Sequence, residues 1–366
     1  RGPWKAVGKT PGPLAGAPFP PQLAPLEGPS PLPHTVPKPE SGIHMETRPS
    51  IGGRTRSLLG KAAIAALTTL LVAGGPALTN VGAHPVHAQS PEPMQSPEVR
   101  GQIDLFSAWL EGQIEIRGLP GVIVGVVAGD ELVWAQGFGY ADTDAGRPME
   151  TDTRFRMASH SKLFTATAIM QLREAGSLRL DDPVIEYLPW FDFQKPSPDD
   201  PPVTIEQLLT HSSGLPREAG SHWTDWDFPS TDEVRELMAD RQAPFSPEVR
   251  WKYSNLAYTL AGMVVEEVSG MTWADYLQTN IFDPLGMRAS SVDEPDALMA
   301  TGYGSRMPDG SRETLPFVDA RGMAAATGLT STVEDMARFV SAQFREGTRG
   351  GDRLLSTASL LSLIHI

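Results

Sequence analysis

The sequence predicts an α+β domain whose antiparallel sheet is built from strands at both ends of the domain. Helices flank this sheet, and a helical insertion separates its first strands from its last. The stretch "GVIVGVVAGDELVWAQGFGYAD" (121–142) contains two β-rich runs around Gly129-Asp130, a strong signal for a hairpin. Helical patterns dominate after it, separated by loops rich in proline and aspartate such as 194–202. The closing strands that such a sheet needs are not found near the C-terminus, so we expect the C-terminal strands to be missing from this chain.

The remaining elements of the domain follow from periodicity and capping. Residues 97–116 are amphipathic and predict an opening helix with four residues facing inward: Ile103, Phe106, Leu110 and Ile114. A short extended piece from Thr153 to Met157 leads directly into the next helix. In the segment 328–344, Ser331 or Thr332 is a candidate N-cap and Asp335 falls in the first turn of a late helix.

The residues before the domain predict three separate segments. Residues 1–44 hold 12 of the 34 prolines and show no periodicity, which is typical of a disordered arm or of translated non-coding sequence before Met45. Residues 45–88 combine a basic start, an apolar run at 62–78 and the small residues "VHA", the pattern of a secretory signal peptide. An uncleaved membrane anchor is the alternative. Residues 89–96 are then a linker to the domain at 97–366, with a helical subdomain at about 183–300.

Composition excludes several classes of function. The formal net charge is −14, and the acidic excess lies after residue 88, which argues against a nucleic-acid partner. The absence of cysteine excludes disulfides and a thiolate nucleophile. No metal-ligand motif or phosphate-binding glycine loop occurs, so we expect no cofactor and no metal. We expect a secreted or periplasmic protein without stable membrane insertion after signal cleavage.

The first candidate for chemistry is a lysine inside an apolar helix. The segment "RMASHSKLFTATAIMQL" (156–172) predicts a helix that is apolar almost all round, and Lys162 shares a stripe with Ala166 and Ile169. Ser159 lies three residues earlier, so the two Cβ atoms are about 5–6 Å apart on one face. A lysine in apolar surroundings can lose its proton near neutral pH and activate a serine hydroxyl. The structural alternative is that Ser159 caps the helix and Lys162 extends to solvent.

The second candidate lies in "WKYSNLAY" (251–258). Tyr253 and Asn255 are two residues apart and project to the same side of an extended stretch. A tyrosine beside the lysine could relay a proton to a leaving group, and the amide of Asn255 could hold both Lys162 and a substrate carbonyl. The alternative is an ordinary loop in which Asn255 caps the apolar helix 256–268.

S-x-x-K followed about ninety residues later by Y-x-N resembles the serine β-lactamase and penicillin-binding-protein superfamily, in its class C-like branch. Segments similar to those around the core of this family occur at 118–142, 208–216 and 327–339. The resemblance covers roughly residues 97–360. The resemblance implies a β-lactamase/transpeptidase-like fold, with Ser159 as nucleophile, Lys162 as proton acceptor, Tyr253 as general acid/base and Asn255 as an orienting amide.

The same resemblance implies two oxyanion donors. One would be the backbone N–H of Ser159, and the other would come from a strand that carries the third family motif, K-T-G or H-x-G. Neither motif occurs after residue 257. We therefore expect the activity to belong to the complete protein, and the 366-residue chain alone to be unstable and inactive.

The function implied is a secreted serine hydrolase that forms an acyl-enzyme with a short-chain ester, a D-amino acid peptide or a β-lactam, that is, a small-molecule or peptidoglycan-like substrate. A receptor that is acylated without turnover is the main alternative. A Ser-His-Asp hydrolase using His211 is a second one, although G-x-S-x-G is absent. Three aromatic residues could line an acyl pocket or could simply pack: Trp223, Trp226 and Phe228.

Overall fold

A computed structural model of the chain describes residues 96–364, apart from Asp130, Asp192, Asp240 and 345–353. The helices are α1 (Pro97–Arg117), α2 (Ser161–Glu174), α3 (Val184–Tyr187), α4 (Ile205–Leu209), α5 (Thr231–Ala239), α6 (Asn255–Ser269), α7 (Trp273–Leu277), α8 (Asp283–Leu285), α9 (Ala324–Thr327), α10 (Val333–Phe344) and α11 (Thr357–Ile364). Short 3₁₀ turns cover Ala158–His160 and Arg321–Met323, and a π-helical turn covers Gln278–Phe282.

The strands are β1 (Gly121–Ala128), β2 (Glu131–Asp142), β3 (Arg147–Pro148), β4 (Phe155–Arg156), β5 (Ser291–Val292), β6 (Gly302–Tyr303), β7 (Thr314–Leu315) and β8 (Leu329–Ser331). They form three antiparallel sheets with the orders β1-β2-β3, β4-β8-β5 and β6-β7. The α+β prediction is therefore confirmed. The predictions for residues 1–95 lie outside the described residues.

The predicted hairpin is present. β1 and β2 pair antiparallel from Gly121↔Gly139 to Ala128↔Glu131, with a register shift between Val126 and Val127. Gly129 adopts a φ of 65°, the left-handed conformation that a two-residue hairpin turn requires and that glycine adopts without steric cost. Helix α10 packs against both strands, and α1 packs against β2.

The opening helix occurs as predicted, but its inward-facing residues are less buried than expected. Ser96 caps α1 by accepting a hydrogen bond from the Val99 N–H, and Gly118 ends the helix in a left-handed conformation. None of its residues is buried, and Phe106 remains 38% exposed, with its ring 6.2 Å from that of Trp134. The helix packs against β2, and its apolar stripe is only partly buried there.

The core is formed by α2 packed against α6, α9 and α10. Phe164 of α2 is fully buried, stacks on Phe339 at 4.1 Å between centroids and meets Phe282 edge-on at 5.8 Å. Burial of a large aromatic side chain stabilises a fold by about 1.5–3 kcal/mol. Among the residues that the structure describes, no helix is both long and apolar enough to span a membrane.

Helices α6 and α9 approach closely at a glycine. A Cβ added at Gly262 would lie 2.3 Å from the Cβ of Ala325. This close approach fixes the position of α9, whose Ala326 carbonyl points into the interior toward α2.

We predict that Gly262→Ala destabilises the protein by about 1–3 kcal/mol because the added methyl group overpacks this contact. Gly112→Ala is the matched control, since nothing lies within 4 Å of the added Cβ in α1. The control should be stabilised by up to about 1 kcal/mol through helix propensity. Urea unfolding followed by circular dichroism measures both, and equal midpoints for the two variants would contradict the packing argument.

Candidate active site

The predicted serine lies at the entrance to α2, in the 3₁₀ turn. Ser159 is exposed, so its hydroxyl is accessible from solvent. The preceding Ala158 has a φ of 44°, in the left-handed region that residues with a Cβ rarely adopt. Such a conformation costs on the order of 1–3 kcal/mol and is found preferentially at functional sites. The turn therefore holds Ser159 at the surface while the next residues descend into the core.

The structure brings Lys162 and Tyr253 to the hydroxyl of Ser159. The Tyr253 hydroxyl lies 2.7 Å from Ser159 Oγ, and Lys162 Nζ lies 3.4 Å from the same oxygen. The lysine nitrogen is also 5.0 Å from the centre of the Tyr253 ring. A residue from the loop before α6 thus meets two residues from the start of α2.

The lysine is buried and held by two acceptors. Lys162 is 6% exposed, and its Nζ donates to Asn255 Oδ1 at 2.7 Å and to the Ala326 carbonyl at 2.8 Å. A neutral amine has two N–H groups and one lone pair. Since both N–H groups have close acceptors, the remaining direction of the nitrogen faces Ser159.

Burial dominates the electrostatics of this amine. Loss of hydration lowers the pKa of Lys162 from 10.5 to about 8, the Glu218 carboxylate raises it and the Arg217 guanidinium lowers it further. At pH 7 a lysine with a pKa of 8 is neutral in about one molecule in ten, compared with about 0.03% at a pKa of 10.5. The site therefore makes a free amine available near neutral pH.

Asn255 is the first residue of α6, and its neighbour Ser254 is the cap. Ser254 Oγ accepts a hydrogen bond from the Ala257 N–H at 2.9 Å and donates to the Pro216 carbonyl at 2.6 Å. The alternative in which Asn255 caps this helix is therefore wrong. The short hydroxyl of Ser254 satisfies the free N–H, and the amide of Asn255 is left to bind Lys162.

His211, the candidate base of the Ser-His-Asp alternative, packs beside the site. The ring of His211 packs 4.6 Å from that of Tyr253, and its Nδ1 accepts the Ser254 N–H at 3.2 Å. Burial, together with the nearby Lys162 charge, lowers the pKa of His211 to about 4, so the imidazole is neutral. Ser159 forms its hydrogen bonds with Tyr253 and Lys162. This arrangement disfavours a Ser-His-Asp reading of the site.

The three aromatic residues form one cluster. Trp223 lies 6.1 Å from Trp226 and 4.9 Å from Phe228, between ring centroids. The two indoles are about 40% exposed, whereas Phe228 is 1% exposed. Phe228 and His222 line an open cavity of about 640 Å³ whose lining does not include Ser159. A role of these rings in substrate binding stays a prediction.

A second cavity, of about 430 Å³, lies beside the 3₁₀ turn that contains Ser159. Its lining includes Met157 and His160, which flank Ser159 in the chain, together with residues of β1 and the start of α10. Within the described part of the chain, no cluster of histidine and carboxylate side chains could hold a metal ion.

Comparison with known proteins identifies the class to which this fold and site belong. Residues 106–365, more than half of the chain, match the beta-lactamase family. The chain belongs to that family, within the β-lactamase and penicillin-binding-protein superfamily of serine hydrolases.

Individual relatives include both penicillin-binding proteins and esterases. A penicillin-binding protein of Bacillus subtilis (strain 168) is 34% identical over 236 residues, 60% of this chain and 51% of that protein. Esterase EstB of Burkholderia gladioli is 37% identical over 187 residues, 47% of each chain. The chain spans about half the length of these curated relatives. The octameric penicillin-binding protein homologue from Pyrococcus abyssi matches in structure with a TM-score of 0.62 and 30% identity, over 71% of this chain and 59% of that one.

We predict that Ser254→Ala destabilises the protein by about 1–2 kcal/mol, because it removes a buried helix cap and leaves the Pro216 carbonyl without its donor. Thr272→Ala removes the exposed cap of α7, where Thr272 Oγ1 accepts the Asp275 N–H at 3.1 Å. That control should cost about 0.5–1 kcal/mol. Chemical denaturation measures both, and a smaller loss at Ser254 than at Thr272 would contradict the assignment.

Proposed function

We propose that this protein is a secreted serine hydrolase that forms an acyl-enzyme on Ser159. The observation that carries the proposal is the buried Lys162 Nζ, 3.4 Å from Ser159 Oγ, with both of its other hydrogen-bonding directions occupied. A serine hydroxyl becomes a useful nucleophile only when a base takes its proton, and this amine can do so.

The reaction follows from the contacts of these residues. The Ser159 proton passes to the lone pair of Lys162 as Oγ attacks the substrate carbonyl carbon. The bond to the leaving alcohol or amine then breaks, and the leaving group takes a proton from Lys162 through the Tyr253 hydroxyl, 2.7 Å from Oγ. Attack by water on the ester releases the acid and restores Ser159. Asn255 keeps the lysine nitrogen in place throughout.

The substrates we propose are short-chain esters, D-amino acid peptides and β-lactams. The esterase among the relatives supports the esters, the penicillin-binding protein supports the β-lactams, and the D-amino acid peptides rest on the family resemblance. The second candidate is a receptor that is acylated and does not turn over, and the name of the penicillin-binding relative supports only the binding of a penicillin. We further propose secretion, on the basis of the signal-peptide pattern at 45–88.

The acyl-enzyme can be tested by mass spectrometry of the purified full-length protein. After addition of nitrocefin, p-nitrophenyl butyrate or a D-alanyl-D-alanine peptide, we expect a covalent adduct on the tryptic peptide that contains Ser159, and none with Ser159→Ala. An adduct that decays within minutes with multiple turnover indicates a hydrolase, and one that persists for hours indicates a receptor. A wild-type protein that hydrolyses these substrates with the adduct on another residue would refute the assignment.

The pH dependence tests the role of Lys162. Because the neutral amine is the active form, kcat/KM should rise about tenfold for each pH unit below 8 and level off above about 8. Lys162→Arg should lower kcat/KM by at least about 100-fold, since the guanidinium stays protonated and cannot accept the Ser159 proton. A Lys162→Arg variant that folds and keeps wild-type activity would exclude the lysine as the base.

A further inference from the structure

The amide of Asn255 is held from both ends by charged side chains. Its Oδ1 accepts from Lys162 Nζ at 2.7 Å, and its Nδ2 donates to Glu218 Oε1 at 2.7 Å. The two ends of the amide therefore face a cation and an anion. If the amide flipped by 180°, the NH₂ group would face the lysine and the carbonyl oxygen would face the carboxylate, and both contacts would be repulsive.

We propose that Glu218 is a positioning residue for the lysine base: its carboxylate fixes the amide of Asn255 in the orientation that presents Oδ1 to Lys162. The proposal rests on the function proposed above for its catalytic consequence. The positioning itself concerns only the contacts between these three side chains.

Glu218 is in turn restrained by its surroundings. Its side chain is 13% exposed, and Oε1 also accepts from Arg217 Nε at 3.2 Å. Oε2 lies 3.2 Å from His222 Nε2, within ion-pair distance although not aligned for a hydrogen bond. The His222 ring packs against Phe228 at 4.5 Å between centroids. A carboxylate with two donors on Oε1 and the His222 ring beside Oε2 has little freedom to rotate away from Asn255.

The charges around Lys162 make the proposal measurable. Glu218 is the anion that favours the ammonium form, and Arg217 is the cation that opposes it. The guanidinium of Arg217 lies over the Tyr253 ring at 5.5 Å. The other groups that face the lysine are the imidazole of His211, neutral near pH 7, and the rings of Tyr253 and Tyr258. Removal of Glu218 should therefore lower the pKa of Lys162, and removal of Arg217 should raise it.

The experiment titrates Lys162 by NMR in protein labelled with [6-¹³C]lysine. Glu218→Gln keeps an oxygen for the Asn255 Nδ2 and removes the charge, so the proton dissociation constant of Lys162 should rise about 3- to 30-fold. Arg217→Gln, at a largely exposed side chain, should lower that constant. Glu267→Gln removes an exposed carboxylate near the other end of α6, about 18 Å from Asn255, and should leave it unchanged.

Kinetics separate positioning from charge. Glu218→Gln should shift the acid limb of kcat/KM to lower pH and keep the plateau, because the amide of Asn255 is still held. Glu218→Ala should lower the plateau by up to about 100-fold, because a small displacement of a reacting group has costs of that size. A merely structural role would lower the melting temperature of both variants and leave the acid limb where it is.

The outcomes distinguish this inference from the function on which it rests. A Lys162 titration that is the same in folded Glu218→Ala as in folded Glu218→Gln overturns the positioning role, whatever the activity of the enzyme, because both variants lack the charge and only glutamine can still hold the amide of Asn255. A different Lys162 titration in these two variants supports it, even if no acyl-enzyme is found on Ser159 and the hydrolase proposal fails. An equal plateau in Glu218→Gln and Glu218→Ala would also overturn it.

Discussion

The site depends on one buried amine and on the two acceptors that hold it. Lys162 loses most of its hydration, and a charged ammonium in such a position is costly unless it is paired. The oxygens of Asn255 and Ala326 satisfy two N–H groups at 2.7 and 2.8 Å, and a neutral amine has only two. The third direction of the nitrogen faces Ser159. The two acceptors therefore favour a neutral amine whose lone pair is directed at the hydroxyl of Ser159.

Three helices supply the amine and the two acceptors that hold it. Lys162 comes from α2, Asn255 from the first position of α6, and the carbonyl of Ala326 from the short α9. The close approach at Gly262 sets the distance between α6 and α9, and the positive φ of Ala158 holds Ser159 at the surface beside a lysine that is buried. The backbone conformation of Ala158 and the burial of Lys162 both cost free energy at this point. Such costs are typical of functional sites.

Much of this arrangement could be predicted from local sequence. The Gly129 turn, the capped helix α10 and the helical spacing of Ser159 and Lys162 are short-range features, and the structure has them. Tyr253 could be paired with these two residues only through the family resemblance, since 94 residues separate it from Ser159. Ser254 and Asn255 are adjacent polar residues that both suit an N-cap, so the sequence alone does not identify Ser254 as the cap.

The groups that tune the lysine could not be found from the sequence. The Ala326 carbonyl is a backbone atom, so no residue type marks it. Glu218 is one of 44 acidic residues, and only its contact with Asn255 distinguishes it. His211 has the residue type of a catalytic base, yet its Nδ1 accepts a backbone N–H and its ring packs between two tyrosines. In each case, long-range packing decides the role.

The most direct test is to locate the hydrogens on Lys162 by neutron diffraction from crystals of the active protein at pH 9.5. This pH lies above the pKa of about 8 and below the ordinary value of 10.5. We expect two deuterons on Nζ, directed at Asn255 Oδ1 and the Ala326 carbonyl, with none directed at Ser159 Oγ. Three deuterons on Nζ at this pH, or a side chain that extends into solvent, would contradict the account.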